Sequence, residues 1–361
     1  MRLKIQRYIW LTLLLTLTLT VPAFAQDNTA DPSLDLNQAI KKALAHSATI
    51  KNQQLSIDQN EIQRDNAQQA MKYIPTSYDY NPEDTNTFKA FYGVDFEYRK
   101  GKKKLEADKR QVVVDVTKAY YEVIKKKTAL EEKKLTQAKN IIKLGQTNAK
   151  AAVGMITAAD ILAAETAVAA DRAAIKEADM NLENSYSNLN RLIGQDLAGR
   201  PILTDAIVFA PSGIKTDEQV LKAINNSYEM WTANEGAKLA SLTKYFEYWS
   251  DIGIKSEAQA HNAASDTREG MKVQVEELCH GILALEEKYI ELDKQLQQLQ
   301  ENLRVIKIQY EQGLVTRDAV LSVEELLKKI ENGKLEVAST HAVSLKSLYR
   351  LTGELSVIPA K

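Results

Sequence analysis

The sequence predicts an all-α fold made of two tandem pseudo-repeats of long antiparallel coiled-coil helical hairpins. Three observations predict it: the scarcity of helix-breaking residues, a repeated set of turn and end motifs, and a heptad spacing of apolar residues. The 361 residues include only 14 Gly and 7 Pro, and no proline lies between Pro82 and Pro201. Long uninterrupted helices fit this distribution better than a β-sandwich or an α/β enzyme.

The same landmarks occur twice in the chain, in the same order. Arg191–Gly194 (RLIG) corresponds to Arg350–Gly353 (RLTG), and Gly154–Thr157 (GMIT) corresponds to Gly313–Thr316 (GLVT). Both pairs are 159 residues apart (353 minus 194, and 313 minus 154). Because the intervening stretch aligns without a gap, we infer an internal duplication.

The start of each half also matches. Gln38–Leu44 (QAIKKAL) resembles Glu218–Ile224 (EQVLKAI) at an offset of 180, so the first half carries 21 more residues (180 minus 159) before its hairpin. The predicted boundaries are 34–200 and 214–353 for the repeats, and 73–99 and 245–268 for the segments that join opening helix to hairpin.

A heptad seam is clearest in the second half. Its twelve apolar positions are Met271, Val275, Leu278, Ile282, Leu285, Tyr289, Leu292, Leu296, Leu299, Leu303, Ile306 and Tyr310. Steps of four and three place them on one narrow stripe that faces a partner helix over about 60 Å. In the first half, Lys126 and Lys133 interrupt the stripe. A shift through Leu130, Leu135, Ala138 and Ile142 predicts a local change of packing there.

Each hairpin is expected to bend at a glycine. Gly154 and Gly313 fall between two helical patterns, where glycine tolerates the positive φ of a helix C-terminus. Thr157 and Thr316 follow three residues later and are predicted to cap the returning helices.

The N-terminus has the pattern of a secretory signal peptide. Arg2, Lys4 and Arg7 precede an uncharged stretch from Ile9 to Val21, and the small-residue site 23–25 (AFA) follows. We therefore expect 1–25 to be a signal peptide and the mature chain to be exported. Without it, 44 Lys and Arg stand against 48 Asp and Glu, a balance that favours neither nucleic acid nor an anionic membrane as partner.

The sequence offers no pattern typical of catalysis, a cofactor or a metal site. Its four histidines are scattered and Cys279 is the single cysteine, so zinc ligation and a catalytic dyad are not expected. Cys279 lies beside a seam position and is expected to be buried. Lys-rich patches at 100–104 and 125–127 leave three interpretations open: a site for an acidic partner, solvated helix faces, or the basic edge of a collar that faces lipid headgroups.

Taken together, these motifs resemble the TolC family of outer-membrane efflux channels, over about 34–353. Leu34–Leu44 resembles the family's opening segment, and Val153–Leu162 and Gln312–Leu321 resemble its hairpin-tip motifs. The resemblance implies a homotrimer in the outer membrane or periplasm that forms a passive duct. It also implies a periplasmic adaptor (membrane fusion protein) and an inner-membrane pump as partners, in a tripartite efflux or type I secretion system.

The resemblance also assigns residues by position. The implied adaptor contacts at the hairpin tips are Gly154, Met155, Thr157, Gly313, Leu314 and Thr316. The implied membrane-side aromatic residues are Tyr92, Phe96, Tyr98, Tyr245, Tyr248 and Trp249. These aromatic residues fit either an interfacial belt or a compact cap that closes the helical body.

One departure from the family concerns the membrane end, where the β-barrel portion is reduced or missing. Ala90–Arg99 alternates like a strand, and its partner would be Ile74–Tyr80, so at most a short β-hairpin is expected there. The second half shows no return strand after Tyr245–Ile254. The predicted strands are too few to form a known type of membrane barrel, so a second hypothesis stays open. It is a barrel-less soluble coiled-coil scaffold or spacer of the cell envelope.

Overall fold

The computed structural model describes residues 33–71, 82–246 and 250–357, and these contain eight α-helices. The first half holds α1 (Leu36–His46), α2 (Ala48–Ala70), α3 (Pro82–Ala152) and α4 (Ala158–Ile193). The second holds α5 (Thr216–Asn226), α6 (Tyr228–Thr243), a 3-10 turn (Lys244–Phe246), α7 (Ser250–Glu311) and α8 (Arg317–Thr352). Strands β1 (Ser33–Leu34) and β2 (Ile202–Leu203) form one short parallel pair. The predicted all-α class is confirmed, while the predicted signal peptide and Ile74–Tyr80 lie outside the described residues.

The helices of the two halves correspond in order and length. Helices α4 and α8 each have 36 residues and begin 159 residues apart (317 minus 158), and both end at a glycine with positive φ, Gly194 and Gly353. Helices α1 and α5 each have 11 residues and begin 180 apart (216 minus 36). The extra length of the first half falls in α2 (23 residues against 16 in α6), in α3 (71 against 62 in α7) and in the connections.

The predicted strand over Ala90–Arg99 is wrong, because this segment lies within α3. Helix α2 supplies a partner that runs alongside it. The amide of Gln53 donates to the carbonyl of Gly101 at 3.2 Å, and a Cβ on Gly101 would lie 3.1 Å from Ile57. Two members of the alternating aromatic run are buried between helices, Tyr98 against α2 and Phe96 against α6.

Both long hairpins pack along the predicted apolar stripes. Helix α7 packs against α8, and eleven of its twelve predicted seam positions are buried or half-buried, with Val275 and Ile282 fully buried. Tyr310, the last position, is exposed. In the first hairpin, α3 packs against α4, where Val168, Leu182 and Leu189 are buried as predicted.

Near Lys126 and Lys133, where a change of packing was expected, α3 makes polar contacts with α8. Ala138, which was predicted to join the apolar face, is exposed. The contacts are Lys125–Glu336 at 3.1 Å, Glu132–Asn332 at 2.5 Å and Lys139–Glu325 at 2.7 Å. We call this set the α3–α8 ladder. Residue numbers rise along α3 as they fall along α8, so the two helices are antiparallel. Their hairpin turns therefore lie at the same end.

At the other end of each hairpin, an opening helix closes a core. Buried residues of α1, α3 and α4 form the first core, which includes Ile40, Tyr120 and Leu189; those of α5, α6, α7 and α8 form the second, which includes Met230, Cys279 and Leu348. The hydroxyl of Tyr120 donates to the Leu34 carbonyl at 2.9 Å and accepts from the Asp205 N–H at 3.1 Å. This pair of bonds fixes β1 and the chain after β2 to α3.

The segment that joins the halves is held on the second hairpin by a cluster we call the linker clasp. The ring of Phe209 stacks on Tyr289 with centroids 3.7 Å apart and lies 4.8 Å from His341. Glu286 accepts hydrogen bonds from the Ser212 N–H at 2.7 Å and hydroxyl at 2.6 Å, and lies 3.0 Å from Nε2 of His341. Phe209 and Ser212 thereby anchor the linker to α7 and α8.

Within the described ranges, none of the helices has both the length and the apolar character needed to cross a bilayer.

The seam should dominate the stability of the second hairpin. Val275→Ala should lower the free energy of unfolding by about 2 kcal/mol, because Val275 is fully buried and its loss leaves a cavity. Val273→Ala is the matched control on the same helix, since Val273 is 54% exposed, and should change it by less than about 0.5 kcal/mol. Urea unfolding followed by circular dichroism measures both. Equal effects would contradict the seam.

The linker clasp should show a pH-dependent stability. Burial alone would raise the pKa of Glu286, but hydrogen bonds from Ser212 and the contact with His341 lower it below the ordinary value of 4.5. Its stabilisation is therefore fully present above pH 4.5 and is lost as pH falls through the lowered pKa of the folded state. Glu286→Gln should cost about 1–3 kcal/mol at pH 7 and progressively less at acidic pH.

The control for this measurement is Glu287→Gln, which removes the charge of the exposed neighbouring residue. Its effect on the free energy of unfolding should stay within about 0.5 kcal/mol. A Glu286→Gln cost that persists unchanged at pH 3 would contradict the assignment of the stabilisation to the carboxylate.

Candidate functional site

The two hairpin turns, tip 1 (Val153–Thr157) and tip 2 (Gln312–Thr316), have the same backbone. Gly154 and Gly313 have φ of 72° and 74°, as predicted. The N–H of each glycine bonds to the carbonyl three residues earlier, at 2.9 Å in both tips. The next N–H bonds to the carbonyl five residues earlier, from Met155 at 3.0 Å and from Leu314 at 2.8 Å. This Schellman pattern satisfies the terminal carbonyls of α3 and α7.

The returning helices begin differently in the two tips. Thr157 caps α4 as predicted: its hydroxyl oxygen accepts from the Asp160 N–H at 3.3 Å, and Asp160 accepts from the Thr157 N–H at 2.8 Å. The Thr157 hydroxyl also donates to the Asp160 carboxylate at 2.7 Å, and this bond together with that from the Thr157 N–H lowers the pKa of Asp160. Thr316 occupies the N-cap position of α8 with an extended backbone but makes no capping bond through its side chain. Tip 1 therefore has a reciprocal pair of capping hydrogen bonds that tip 2 lacks.

Each tip presents large apolar side chains to solvent. Met155 is 73% exposed, Leu314 is 70% exposed and Val153 is 69% exposed. The residue after the glycine is the most exposed apolar side chain in both tips. Neighbouring exposed apolar residues that recur in equivalent turns are typical of a protein contact surface.

A groove between α3 and α4 leads away from tip 1. Its volume is about 340 Å³, and Lys143 and Lys150 of α3 line it together with Ala163, Ala167 and Asp160 of α4. The small alanine side chains of α4 leave space in the groove, and the lysines give its α3 side a positive charge. Tip 1 and this groove form a continuous surface.

At the end opposite the tips, the two halves meet through aromatic and charged side chains. Phe96 of α3 stacks on Trp231 of α6 with centroids 6.4 Å apart and an interplanar angle of 5°. Phe88 contacts Phe246 of the 3-10 turn edge to face, with centroids 5.5 Å apart. Arg99 bonds to Glu235 at 2.7 Å. The segments predicted to share the membrane-side end are therefore neighbours.

The side chains predicted for a membrane-side aromatic segment lie mainly between helices. Phe96 and Tyr98 are 9% and 7% exposed. The Tyr98 hydroxyl donates to Glu61 of α2 at 3.0 Å, and Tyr92 is half-buried with its ring centroid 4.9 Å from that of Phe88. The side chain of Tyr245, with Tyr248 and Trp249, lies outside the described residues.

In the part of the chain that the structure describes, no group of three or more His, Cys, Asp or Glu side chains is placed to hold a metal ion. Cys279 is fully buried, as predicted, and burial raises the pKa of its thiol, which disfavours the reactive thiolate. His341 contacts Glu286 in the linker clasp, a role that the sequence did not predict.

Comparison with known proteins rests on structure. No protein-family model and no curated protein sequence matches the chain. Among solved structures, it is similar to the outer-membrane channel OprN (12% identity, TM-score 0.67, 90% of this chain and 91% of that one). It is also similar to the Campylobacter jejuni CmeC outer membrane channel (10%, 0.65, 88% and 85%) and to the outer membrane protein VceC of Vibrio cholerae (13%, 0.62, 88% and 96%). The fold that the TolC resemblance implied is confirmed.

The tip glycines should be required for their conformation. Gly154→Ala and Gly313→Ala should each destabilise the protein by about 1–2 kcal/mol, because the positive φ disfavours a Cβ although open space surrounds both sites. Gly145→Ala is the control, since Gly145 lies within α3, also in open space and without a positive φ. It should stabilise by about 0.5–1 kcal/mol. Thermal unfolding distinguishes the two signs, and a shared sign would contradict the turn geometry.

Proposed function

We propose that this chain, with the fold of TolC-family channels, is a duct component of a tripartite efflux or type I secretion system. It would act as a passive conduit, with the energy supplied by a partner pump. The observation that carries the proposal is the common placement of the two exposed tips, which the α3–α8 ladder brings to one end of two parallel hairpins. A duct wall needs no catalytic group, cofactor or metal, so we also propose that the protein is not an enzyme.

We further propose how the chain is organised and where it acts. Segments 34–200 and 214–353 would be two copies of one unit, which the equal lengths of α4 and α8 and of α1 and α5 support. Residues 1–25 would direct export to the outer membrane or periplasm. The aromatic contacts among α3, α6 and the 3-10 turn would form the membrane-side end.

A homotrimer is supported by an apolar stripe on α7 that faces away from the seam. Its members are Ile254 (55% exposed), Leu283 (39%), Ile290 (44%), Val305 (38%) and Ile308 (43%). At 3.6 residues per turn they fall within an arc of about 60°. The residues that the structure describes leave this stripe exposed, and a second copy of the same rod would bury it.

The tips would contact a periplasmic adaptor, which in turn would connect the duct to an inner-membrane pump. Met155 and Leu314 offer equivalent apolar anchors, and the groove beside tip 1 could receive a partner helix between the alanines of α4. The sequence contains no glycine-rich phosphate loop, so the energy for transport would come from the pump.

Charges on the α7 stripe should break the assembly without unfolding the protomer. Leu283→Glu with Ile290→Glu should convert a trimer into monomers, because each carboxylate would have to be desolvated in an apolar interface. Ala284→Glu, on an exposed site of α7 outside the stripe, should remain trimeric. Light scattering after size-exclusion chromatography gives the mass, and circular dichroism confirms the helical content. A trimeric double variant would exclude the stripe as an interface.

The adaptor contact can be tested in cells. A photo-crosslinking amino acid at Met155 or at Leu314 should capture the same envelope protein, because the two tips lie at one end. Leu197, which is 54% exposed just beyond the end of α4 that lies farthest from tip 1, is the control position and should not capture it. Mass spectrometry identifies the captured protein. Two unrelated partners, or equal capture at Leu197, would contradict the proposal.

One observation favours a second candidate function, a soluble coiled-coil scaffold or spacer of the envelope. Helix α3 continues through Ala90–Arg99, so this stretch packs on α2 and α6 and does not form the expected strand. Release of the protein from cells without detergent, together with the absence of tip crosslinks, would favour the scaffold. Retention in outer membrane after a high-salt wash favours the duct.

A further inference from the structure

A cavity of about 380 Å³ lies beside the aromatic end, where α3, the start of α6 and the end of α8 meet. Its wall includes Lys103 and Arg110 of α3, Asn225 of α5, and Tyr228 and Trp231 of α6. We call it the Lys103–Arg110 pocket. Its volume falls within the range of about 300–1,000 Å³ that is usual for small-molecule sites. The pocket has no role in the proposed duct.

Lys103 belongs to the Lys-rich patch at 100–104 but differs from Lys100 and Lys104. Lys100 bonds to Glu97 at 2.9 Å and Lys104 to Asp108 at 2.8 Å. Lys103 has no acidic partner among the described residues, and its Nζ lies 5.9 Å from the ring centroid of Trp231. Two of the four lysines in the patch are therefore neutralised; of the other two, Lys102 lies over the Tyr98 ring and Lys103 lies at the pocket.

Arg110 provides the second unpaired cation. Its Nε is buried and has no hydrogen-bond partner in the described part of the chain. A buried donor of a charged group that makes no hydrogen bond is costly, so an acceptor is expected to reach it. The acid in the same wall, Glu106, is already bonded to Lys109 at 2.8 Å. The described wall of the pocket thus holds two cations without an acidic partner and one carboxylate that is paired with Lys109.

Two further features of the wall fit an anion with a ring or apolar part. Helix α6 begins at Tyr228, and the N-terminus of a helix carries a partial positive charge. The carbonyl of Thr352, beside the pocket, already accepts from Asn226 Nδ2 at 2.9 Å. The rings of Tyr228 and Trp231 supply apolar surface next to the charges.

From this arrangement we propose that the Lys103–Arg110 pocket binds the carboxylate or phosphate group of a small molecule. The planar guanidinium of Arg110 would hold two oxygens of the group, and Lys103 would add a point charge at the opening. The rest of the molecule would lie against Trp231. This inference does not depend on transport, because it uses only the wall of the pocket.

Trp231 can report the binding. The chain has three tryptophans, so Trp10→Phe with Trp249→Phe leaves Trp231 as the only one. Inorganic phosphate and acetate, each titrated at constant ionic strength against chloride, should change its fluorescence saturably. The oxyanion with the lower dissociation constant identifies the preferred group.

In that background, Arg110→Gln and Lys103→Gln should each raise the dissociation constant at least about tenfold, the effect of losing one charged hydrogen bond. Lys102→Gln is the matched control, because Lys102 lies 4.2 Å from the Tyr98 ring and outside the pocket, and it should change the constant less than about twofold. Circular dichroism checks folding, and Lys103 is exposed, so its variant tests the site without disturbing a core.

Three results would overturn the proposal. The first is no saturable response to either anion, and the second is an equal loss of binding in Lys102→Gln. The third is loss of trimer in Lys103→Gln and Arg110→Gln without phosphate or acetate binding to the parent protein. That last result would show that an acidic side chain of a second copy fills the pocket.

Discussion

The structure depends on one constraint, the burial of a narrow apolar stripe along a long helix, which is clearest in α7. A heptad spacing keeps the stripe of α7 against α8 over its whole length, so the hairpin stays a rod and does not fold back into a globule. Val275 and Ile282 are fully buried in this contact. The position of the tips at one end, and the exposure of Met155 and Leu314 there, follow from the straight course of the rods.

A second set of contacts determines how the two rods are aligned. The α3–α8 ladder joins them through charged and amide groups that are partly exposed, and such pairs contribute little to stability individually. These contacts determine the register of the two helices, because a shift of α8 along α3 would separate Lys139 from Glu325 and Lys125 from Glu336. The linker clasp also contributes to alignment, because it fixes Phe209 and Ser212 to the second hairpin. Apolar seams therefore provide stability, while polar contacts provide alignment.

Local signals made much of this fold predictable from the sequence. The seam, the tip glycines and the Thr157 cap depend on residues within a few turns of one another, and the structure bears them out. The strand expected at Ala90–Arg99 was wrong because alternation in a short aromatic run does not distinguish strand from helix, and the deciding contacts come from α2 and α6. The linker clasp and the Lys103–Arg110 pocket had no sequence signal, since their members meet only after the hairpins have packed.

The central claim is that the two hairpins lie side by side with both tips at one end, and a distance between tips tests it most directly. Spin labels at Met155→Cys and Leu314→Cys, in a Cys279→Ser background diluted with unlabelled chain, report that distance by pulsed electron resonance. Adjacent helices pack about 10 Å apart, so the account predicts a tip-to-tip distance below about 30 Å. Helix α8 alone is about 54 Å long, and a distance of about 50 Å or more would contradict the arrangement.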